Sequence, residues 1–261
     1  MTRRESWSHT WRVTGKPSVA DAPGNMQRFE MNKLRLIATI LFSFILGATA
    51  FSYKEAKNWG KKYPQCNGEF QSPISFVEPI AGQGFPEINE PLKRTDFDQL
   101  PKKITMKNTG HTVEIKAEWS GKPPRFTGGP LHSEYVFEKA TFHWTQKKSG
   151  MGPGPSYYDI IEKNVHKVES INSSAVIPSF PIASIFNDKR QRFLFYEGSL
   201  EYPPCYESVT WFEDNIFSPI SDALLRGFRK VKLAEGDLSN IRPLQELNNR
   251  QVKTVSNLQN M

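Results

Sequence analysis

The stretch from Phe195 to Trp211, FYEGSLEYPPCYESVTW, limits what this chain can fold into more than any other part of the sequence. It opens as the end of an aromatic strand and then turns at Gly198 and Ser199. A rigid corner at Pro203-Pro204 follows, and apolar and polar residues alternate after it. The stretch therefore predicts two strands joined by a stiff connection, which together form the wall of a pocket.

Short alternating runs of this kind recur along the chain, separated by turns rich in Pro and Gly. They predict a mainly β (α+β) fold, with a central twisted, mostly antiparallel sheet and short peripheral helices. The 261 residues are 38% apolar and 12% aromatic. This is enough for one large domain with a real core, and it argues against disorder throughout.

The formal charge of +7 raises the question of a polyanionic partner. Residues 1–50 hold seven Lys and Arg against three Asp and Glu, whereas the rest of the charge is spread over the remaining sequence. Such a distribution indicates no particular polyanion, so we expect no nucleic-acid partner.

The N-terminal region divides into two segments. Residues 1–30 are polar and lack a periodic apolar face, which predicts a disordered extension. Residues 31–50 combine a basic start, an apolar run and an A-x-A pattern ending at Ala50, which is typical of a cleaved signal peptide. Residues 51–261 form the folded domain.

An uncleaved signal anchor is the alternative for this leader. The apolar run from Leu36 to Phe51 has 16 residues, whereas a full span needs about 20. Both interpretations deliver the domain to an oxidising compartment, as a secreted, extracellular protein or as a type II membrane-anchored one. Two cysteines, Cys66 and Cys205, fit that compartment, but their spacing alone does not decide between a disulfide and two buried thiols.

The Phe195–Trp211 stretch closely resembles the Y-x-G-S-L-T-T-P-P-C-x-E-x-V-T-W segment of the α-class carbonic anhydrases. In that family the segment carries the substrate wall and the threonine that orients a zinc-bound hydroxide. Here Glu201 and Tyr202 replace the two threonines. The apolar wall positions remain, as Leu200 and Trp211.

Other segments extend the resemblance. Residues 63–74, YPQCNGEFQSPI, resemble the entry segment of secreted carbonic anhydrases, which implies a disulfide between Cys66 and Cys205. Residues 104–116 alternate around a turn at 108–110, which predicts a hairpin or a sharply bent strand. They resemble the family's N-x-G-H-x-V segment, which places His111 at the proton-shuttle position. Without a metal-bound water to deprotonate, we expect His111 to have no such role.

The segment from Arg125 to Trp144 resembles the strand that supplies two zinc-binding histidines in the family. Side chains two apart on a strand point the same way, so both ligands face one cavity. The corresponding pair here is Thr141 and His143, and a neutral threonine hydroxyl is a poor zinc ligand. Lys139 stands where the family has a glutamine that supports the first ligand.

The resemblance also places a third ligand, at His166 in the stretch after the Gly/Pro-rich loop. In this register Asn164 takes the position of its supporting glutamate, and Tyr157 the position of a second-shell glutamate. Val168 corresponds to an apolar residue of the carbon dioxide pocket.

Between His166 and the Pro-Pro corner the family has a long segment that includes a central strand, and this chain is shorter there. Prolines at 178 and 181 interrupt the remaining apolar run. A proline removes a ladder donor from a central strand, so we predict a sheet that is abbreviated in the middle. Farther on, an amphipathic stretch at 221–230 and the segment 240–250 resemble the family's closing elements.

These departures predict a secreted carbonic-anhydrase-like domain without carbon dioxide hydration activity. It would bind zinc weakly or not at all, and it would act by binding an unknown extracellular protein. The alternative is a zinc-dependent carbonic anhydrase, which converts carbon dioxide to bicarbonate, with Glu201 completing a rebuilt ligand set. Membrane contact is expected only if the leader stays uncleaved.

Overall fold

The computed structural model describes residues 51–76, 84–146, 156–185, 192–213 and 220–259. Three short α-helices lie in these ranges: α1 (Trp59–Lys62), α2 (Ser156–Asn164) and α3 (Asp222–Lys230). Ten strands accompany them: β1 (Glu87–Thr95), β2 (Lys103–Asn108), β3 (Val113–Glu118), β4 (Arg125–Gly128), β5 (Tyr135–Val136), β6 (Ala140–Phe142), β7 (Ser174–Ile177), β8 (Arg192–Gly198), β9 (Val209–Glu213) and β10 (Lys253–Gln259).

The strands form two sheets. One sheet has six strands in the order β5-β4-β1-β10-β8-β9, and the other has four in the order β6-β3-β2-β7. Strands β1 and β10 pair in parallel, and the other pairs are antiparallel. The prediction of a mostly antiparallel β fold with short helices is confirmed. No strand within the described ranges pairs with the outer edge of β9 or of β6.

The predicted hairpin is present as β2 and β3, paired from Lys103 opposite Glu118 to Asn108 opposite Val113. The turn places Gly110 at a φ of 87°, in the left-handed region that glycine adopts most easily. Asn108 is fully buried, and its side-chain amide donates to the carbonyl oxygen of Lys232 at 2.9 Å. The turn is therefore tied to a distant part of the chain.

The aromatic stretch forms the antiparallel pair β8 and β9, as its sequence predicts. The connection contains the cis Pro203–Pro204 bond. Packing against it is tight, because a Cβ atom added at Gly198 would lie 2.2 Å from the hydroxyl oxygen of Ser72. The same hydroxyl accepts from the backbone N–H of Ser199 at 3.0 Å, which fixes the start of the connection.

The two faces of this pair contact different apolar clusters. Phe193, Phe195 and Phe212 belong to the main core, which also receives α3 through Leu224, Leu225 and Phe228. Tyr196, Val209 and Trp211 face the opposite way, into a smaller cluster with Ile74. The predicted amphipathic stretch is α3, and the side chain of Ser221 caps its first turn.

A third cluster surrounds the disulfide, which joins Cys66 to Cys205. Phe51, Tyr53 and Trp59 pack around it with the ring centroids 5.4–5.5 Å apart. The pairing implied by the resemblance is confirmed. The bond connects the start of the domain to the connection between β8 and β9.

The predicted extension and leader, residues 1–50, lie outside the described residues. Within the described ranges no helix is long and apolar enough to cross a membrane.

Candidate functional site

His143 lies immediately after β6, two residues beyond Thr141, and the two side chains face the same way. The hydroxyl oxygen of Thr141 is 3.4 Å from Nε2 of His143. On the other side of the ring, Nδ1 is 2.9 Å from the backbone carbonyl oxygen of Asn240. A carbonyl oxygen only accepts hydrogen bonds, so Nδ1 carries the proton and Nε2 of the neutral ring is the acceptor.

Asn240 organises this part of the site. Its side chain is fully buried and accepts from the backbone N–H of Trp144 at 2.7 Å. Its amide nitrogen donates to the carbonyl oxygens of Phe142 at 2.9 Å and His111 at 3.2 Å. One residue thus holds the end of β6, the orientation of His143 and the turn that carries His111. Its contact with His143 was not predicted, because the two residues are 97 positions apart in sequence.

Lys139, which stands where the family has the glutamine that supports the first ligand, forms an ion pair. Its ammonium group lies 2.9 Å from the carboxylate of Glu114, whose side chain is 8% exposed. Glu114 pairs with Thr141 across β3 and β6, so the two side chains share a face of the sheet. Lys116 lies 3.6 Å from the same carboxylate. The cation of Lys139 is therefore balanced by a neighbouring carboxylate.

His111 stacks on Phe51, with the ring centroids 3.9 Å apart and the planes inclined by 12°. Its Nδ1 atom is buried and has no hydrogen-bond partner among the described residues. Burial lowers the pKa of this imidazole, and the charges of Asp237 and Glu235 partly oppose the shift. The ring is therefore held neutral against an apolar neighbour.

Glu201, at the position of the orienting threonine, is half-buried among ionisable groups. Burial raises the pKa of the Tyr53 and Tyr196 phenols, and the charge of Glu201 raises both further. Burial also lowers the pKa of Arg242 to about 10, and the charge of Glu201 opposes this shift. The carboxylate of Glu201 is therefore close enough to influence all three groups, although burial is the larger cause of each shift.

Glu213 was missed by sequence reasoning. It lies on β9, on the same face as Trp211, and only 4% of it is exposed. Its Oε2 atom has no hydrogen-bond partner among the described residues. Burial, and secondarily the charge of Glu201, raises the pKa of this carboxyl well above its usual value. The face of β9 that carries Trp211 thus also carries a buried acidic group.

The predicted wall residues separate into two clusters. Trp211 is buried, and its Nε1–H donates to the carbonyl oxygen of Ser199 at 3.0 Å. Leu200 packs against the same small cluster. Val168 is fully buried in the main core instead. The structure brings Leu200 and Trp211 together, and it places Val168 elsewhere.

His166 lies in a 3-10 turn (Val165–Val168) directly after α2, and its side chain is exposed. No described contact joins it to His143. Asn164 does not support it either: this amide donates to the carbonyl oxygen of Ile160 at 2.7 Å and accepts from Lys167 at 2.7 Å. Among the described residues, no hydrogen bond or ion pair therefore links His166 to the site around His143. Tyr157 lies in α2, but its side chain is outside the described residues.

Most of the chain matches one known protein family. The family model for eukaryotic-type carbonic anhydrases matches residues 54–156 and 150–256, which is most of the chain. The chain belongs to the eukaryotic-type carbonic anhydrase family.

Individual carbonic anhydrases match along most of their length. Carbonic anhydrase 7 of Mus musculus is 26% identical over 248 residues, covering 75% of this chain and 92% of the relative. Carbonic anhydrase 6 of Mus musculus is 22% identical over 237 residues, covering 69% and 73%. The alignment with carbonic anhydrase 7 spans 248 positions, which is more than the number of residues in the 75% of this chain that it covers. Part of the relative therefore has no counterpart here.

A third relative is not named as a carbonic anhydrase. The receptor-type tyrosine-protein phosphatase zeta of Homo sapiens is 26% identical over 232 residues. The alignment covers 67% of this chain but 10% of the receptor, so the chain corresponds to a small part of that protein.

The family match is made in two parts, which meet at residues 150–156. This junction precedes α2 in the sequence. His166 belongs to the second matched part, on the other side of the junction from Thr141 and His143. The physical consequence is visible in the structure, where a helix and an exposed turn occupy the stretch that was aligned with a ligand-bearing segment.

The family's zinc site requires three imidazoles directed at one point. Within the described ranges no group of three His, Cys, Asp or Glu side chains is arranged to hold a metal ion. His143 presents a suitable Nε2 atom, but the nearest polar neighbour recorded for that atom is the Thr141 hydroxyl. The donors in the described residues do not fit the three-histidine site.

Proposed function

We propose that this protein is a secreted carbonic-anhydrase-like domain that does not hydrate carbon dioxide and acts by binding another protein. The observation that carries the proposal is the pair formed by Thr141 and His143. A hydroxyl group occupies the position of an imidazole ligand, 3.4 Å from the nitrogen that would face the metal.

The chemistry of hydration explains why this exchange matters. Three protein ligands and an open fourth position lower the pKa of zinc-bound water to about 7, so that hydroxide is available at neutral pH. A single oriented imidazole binds zinc much more weakly than three do, because affinity depends on the complete ligand set. His143 alone therefore gives no basis for a retained catalytic zinc.

The charge of the site also opposes the reaction. The family's orienting threonine accepts a hydrogen bond from the hydroxide, whereas Glu201 places a carboxylate at that position. A negative group repels the bicarbonate product at close range.

Several contacts hold the elements around this altered site together. The disulfide, the buried Asn240 and the β8–β9 pair all maintain a rigid surface. A part of a receptor-type tyrosine-protein phosphatase matches this chain about as well as a carbonic anhydrase does. Both facts favour use of the domain as a binding module, with an extracellular protein as the expected partner.

Metal analysis of the purified protein tests the proposal. We expect far less than one zinc per chain after exposure to zinc and dialysis, and the His143→Ala variant should retain a similar amount. Stoichiometric zinc that is lost in His143→Ala would overturn the proposal. It would favour the alternative of an enzyme that uses His143 with a carboxylate such as Glu201.

A further inference from the structure

Asn172, Ser173 and Ser174 form an N-x-S pattern, and this pattern occurs once in the whole chain. We propose that Asn172 carries an N-linked glycan that covers the open edge of the four-stranded sheet. The inference rests on the secretion stated in the proposed function, because this modification is made on proteins that enter the secretory pathway.

The backbone of Asn172 is firmly held at the surface. The residue lies in the turn before β7, with a φ of 64°, a left-handed conformation that Asn tolerates better than most residues. Its N–H donates to the carbonyl oxygen of Asn108 at 3.0 Å, and Asn108 is fully buried. An anchored backbone with an exposed side chain is a suitable geometry for a large attached group.

The two side chains of the pattern that the modification uses are exposed. Asn172 is exposed, and its amide makes no hydrogen bond to another described residue. The hydroxyl of Ser173 is directed back into the turn, where it donates to the carbonyl oxygen of Ser170. Ser174 is exposed at the start of β7. The acceptor amide and the hydroxyl two residues later are both accessible.

The modification is a transfer from a lipid-diphosphate-linked oligosaccharide of the secretory pathway. A bond forms between Nδ2 of Asn172 and the anomeric carbon of the first sugar. The bond from that carbon to the diphosphate oxygen breaks, the lipid diphosphate leaves, and the amide nitrogen loses one proton. No oxidation or reduction takes place.

The position of the acceptor gives the glycan a physical role. Among the described residues, strand β7 is an edge of the sheet β6-β3-β2-β7. Beside the acceptor, Ile171 is 43% exposed and Val176 is 58% exposed. An open edge with exposed apolar side chains is a template for aggregation. A bulky, solubilising group at Asn172 would shield this edge.

Expression of the full chain in secretory animal cells tests the proposal. The secreted protein should shift to lower mass after treatment with peptide N-glycosidase, and the peptide should then contain Asp at position 172. The shift should disappear in Asn172→Gln and in Ser174→Ala, and it should remain in Ser174→Thr, which keeps the pattern. Ser174→Ala is the better variant, since it leaves Asn172 in its left-handed conformation.

Two further measurements distinguish a failure of secretion from a failure of glycosylation. An established secretion leader placed ahead of the full chain supplies the acceptor to the pathway whatever residues 31–50 do. Unmodified Asn172 in that secreted material would overturn the glycan proposal. Asn172 could be glycosylated in the fusion while the chain with only its own leader stays inside the cell. That result would overturn the proposed secretion but not the proposed glycosylation site.

The shielding role has its own readout. The unglycosylated Ser174→Ala protein should show more aggregate in gel filtration than the wild type, and adding Val176→Lys should reduce it, because a charge on an edge strand blocks pairing. Equal monomer fractions with and without the glycan would overturn the shielding role.

Discussion

Nδ1 of His143 donates to the carbonyl oxygen of Asn240 at 2.9 Å, and this contact leaves Nε2 facing the hydroxyl of Thr141. The histidine is therefore oriented like a metal ligand, but its neighbour is a group that binds zinc poorly. The ring of His143 is thus held in a fixed orientation, and a threonine stands at the neighbouring position where the family resemblance implies a second histidine.

Asn240 should be essential to the stability of the domain. Asn240→Ala leaves the N–H of Trp144 and the carbonyl oxygens of Phe142 and His111 without this partner. Since each buried unsatisfied group costs about 1–3 kcal/mol, we expect a loss of roughly 3 kcal/mol in the free energy of unfolding, measured with urea. Asn67→Ala is the control, because this residue is exposed and its side-chain amide donates to the carbonyl oxygen of Gly60 at 3.1 Å. Equal losses in the two variants would contradict the assigned role.

The disulfide should contribute strongly as well. Cys205→Ser should lower the free energy of unfolding by about 2–5 kcal/mol and reduce secretion, because the loop it closes is long. Cys66→Ser should cause the same loss, and the double variant should cause no more than either alone. Quantitative alkylation of both cysteines without reductant would refute the pairing in the secreted protein.

Glu213 should make stability depend on pH. Its pKa is raised in the folded protein, so between the usual value of 4.5 and the raised value the folded state binds more protons than the unfolded state. Stability is therefore greatest below this window and falls as the pH rises through it, with a slope of at most about 1.4 kcal/mol per pH unit.

Urea unfolding at a series of pH values measures this effect. Glu213→Gln should remove most of the fall, whereas Glu246→Gln, at an exposed position, should leave it in place. An unchanged pH dependence in Glu213→Gln would show that the fall arises from other groups.

Several local features followed directly from the sequence. Alternation and turn residues predicted the β2–β3 hairpin, the β8–β9 pair and the amphipathic α3, because each depends on neighbouring residues. The pairing of Cys66 with Cys205 came from the family resemblance. In these cases the pattern is local or the motif is distinctive.

The features that were missed depend on distant contacts. In the sequence, Glu213 is one position of an alternating strand, and nothing nearby indicates that its side chain is buried. The burial is visible only in the folded structure. The ring orientation of His143 depends on Asn240, far along the chain. His166 was placed by a single V-H-x-V match, which does not distinguish a strand from the helix and turn that the structure contains.

A substitution at position 141 should rebuild part of the metal site. Thr141→His places a second imidazole beside Nε2 of His143, so zinc binding measured by competition with a chromophoric chelator should become tighter. Adding His143→Ala should abolish the gain. We expect the gain to persist with His166→Ala, because His166 is exposed and has no described contact with His143. Loss of binding in that variant would instead support His166 as a ligand.

Stopped-flow measurement of carbon dioxide hydration by the purified protein, with and without added zinc, tests the central claim most directly. With one oriented histidine, a threonine in place of a second ligand and a carboxylate in place of the orienting threonine, we predict a rate equal to that of buffer containing the same zinc. A zinc-dependent acceleration that a chelator removes and that His143→Ala abolishes would contradict this account.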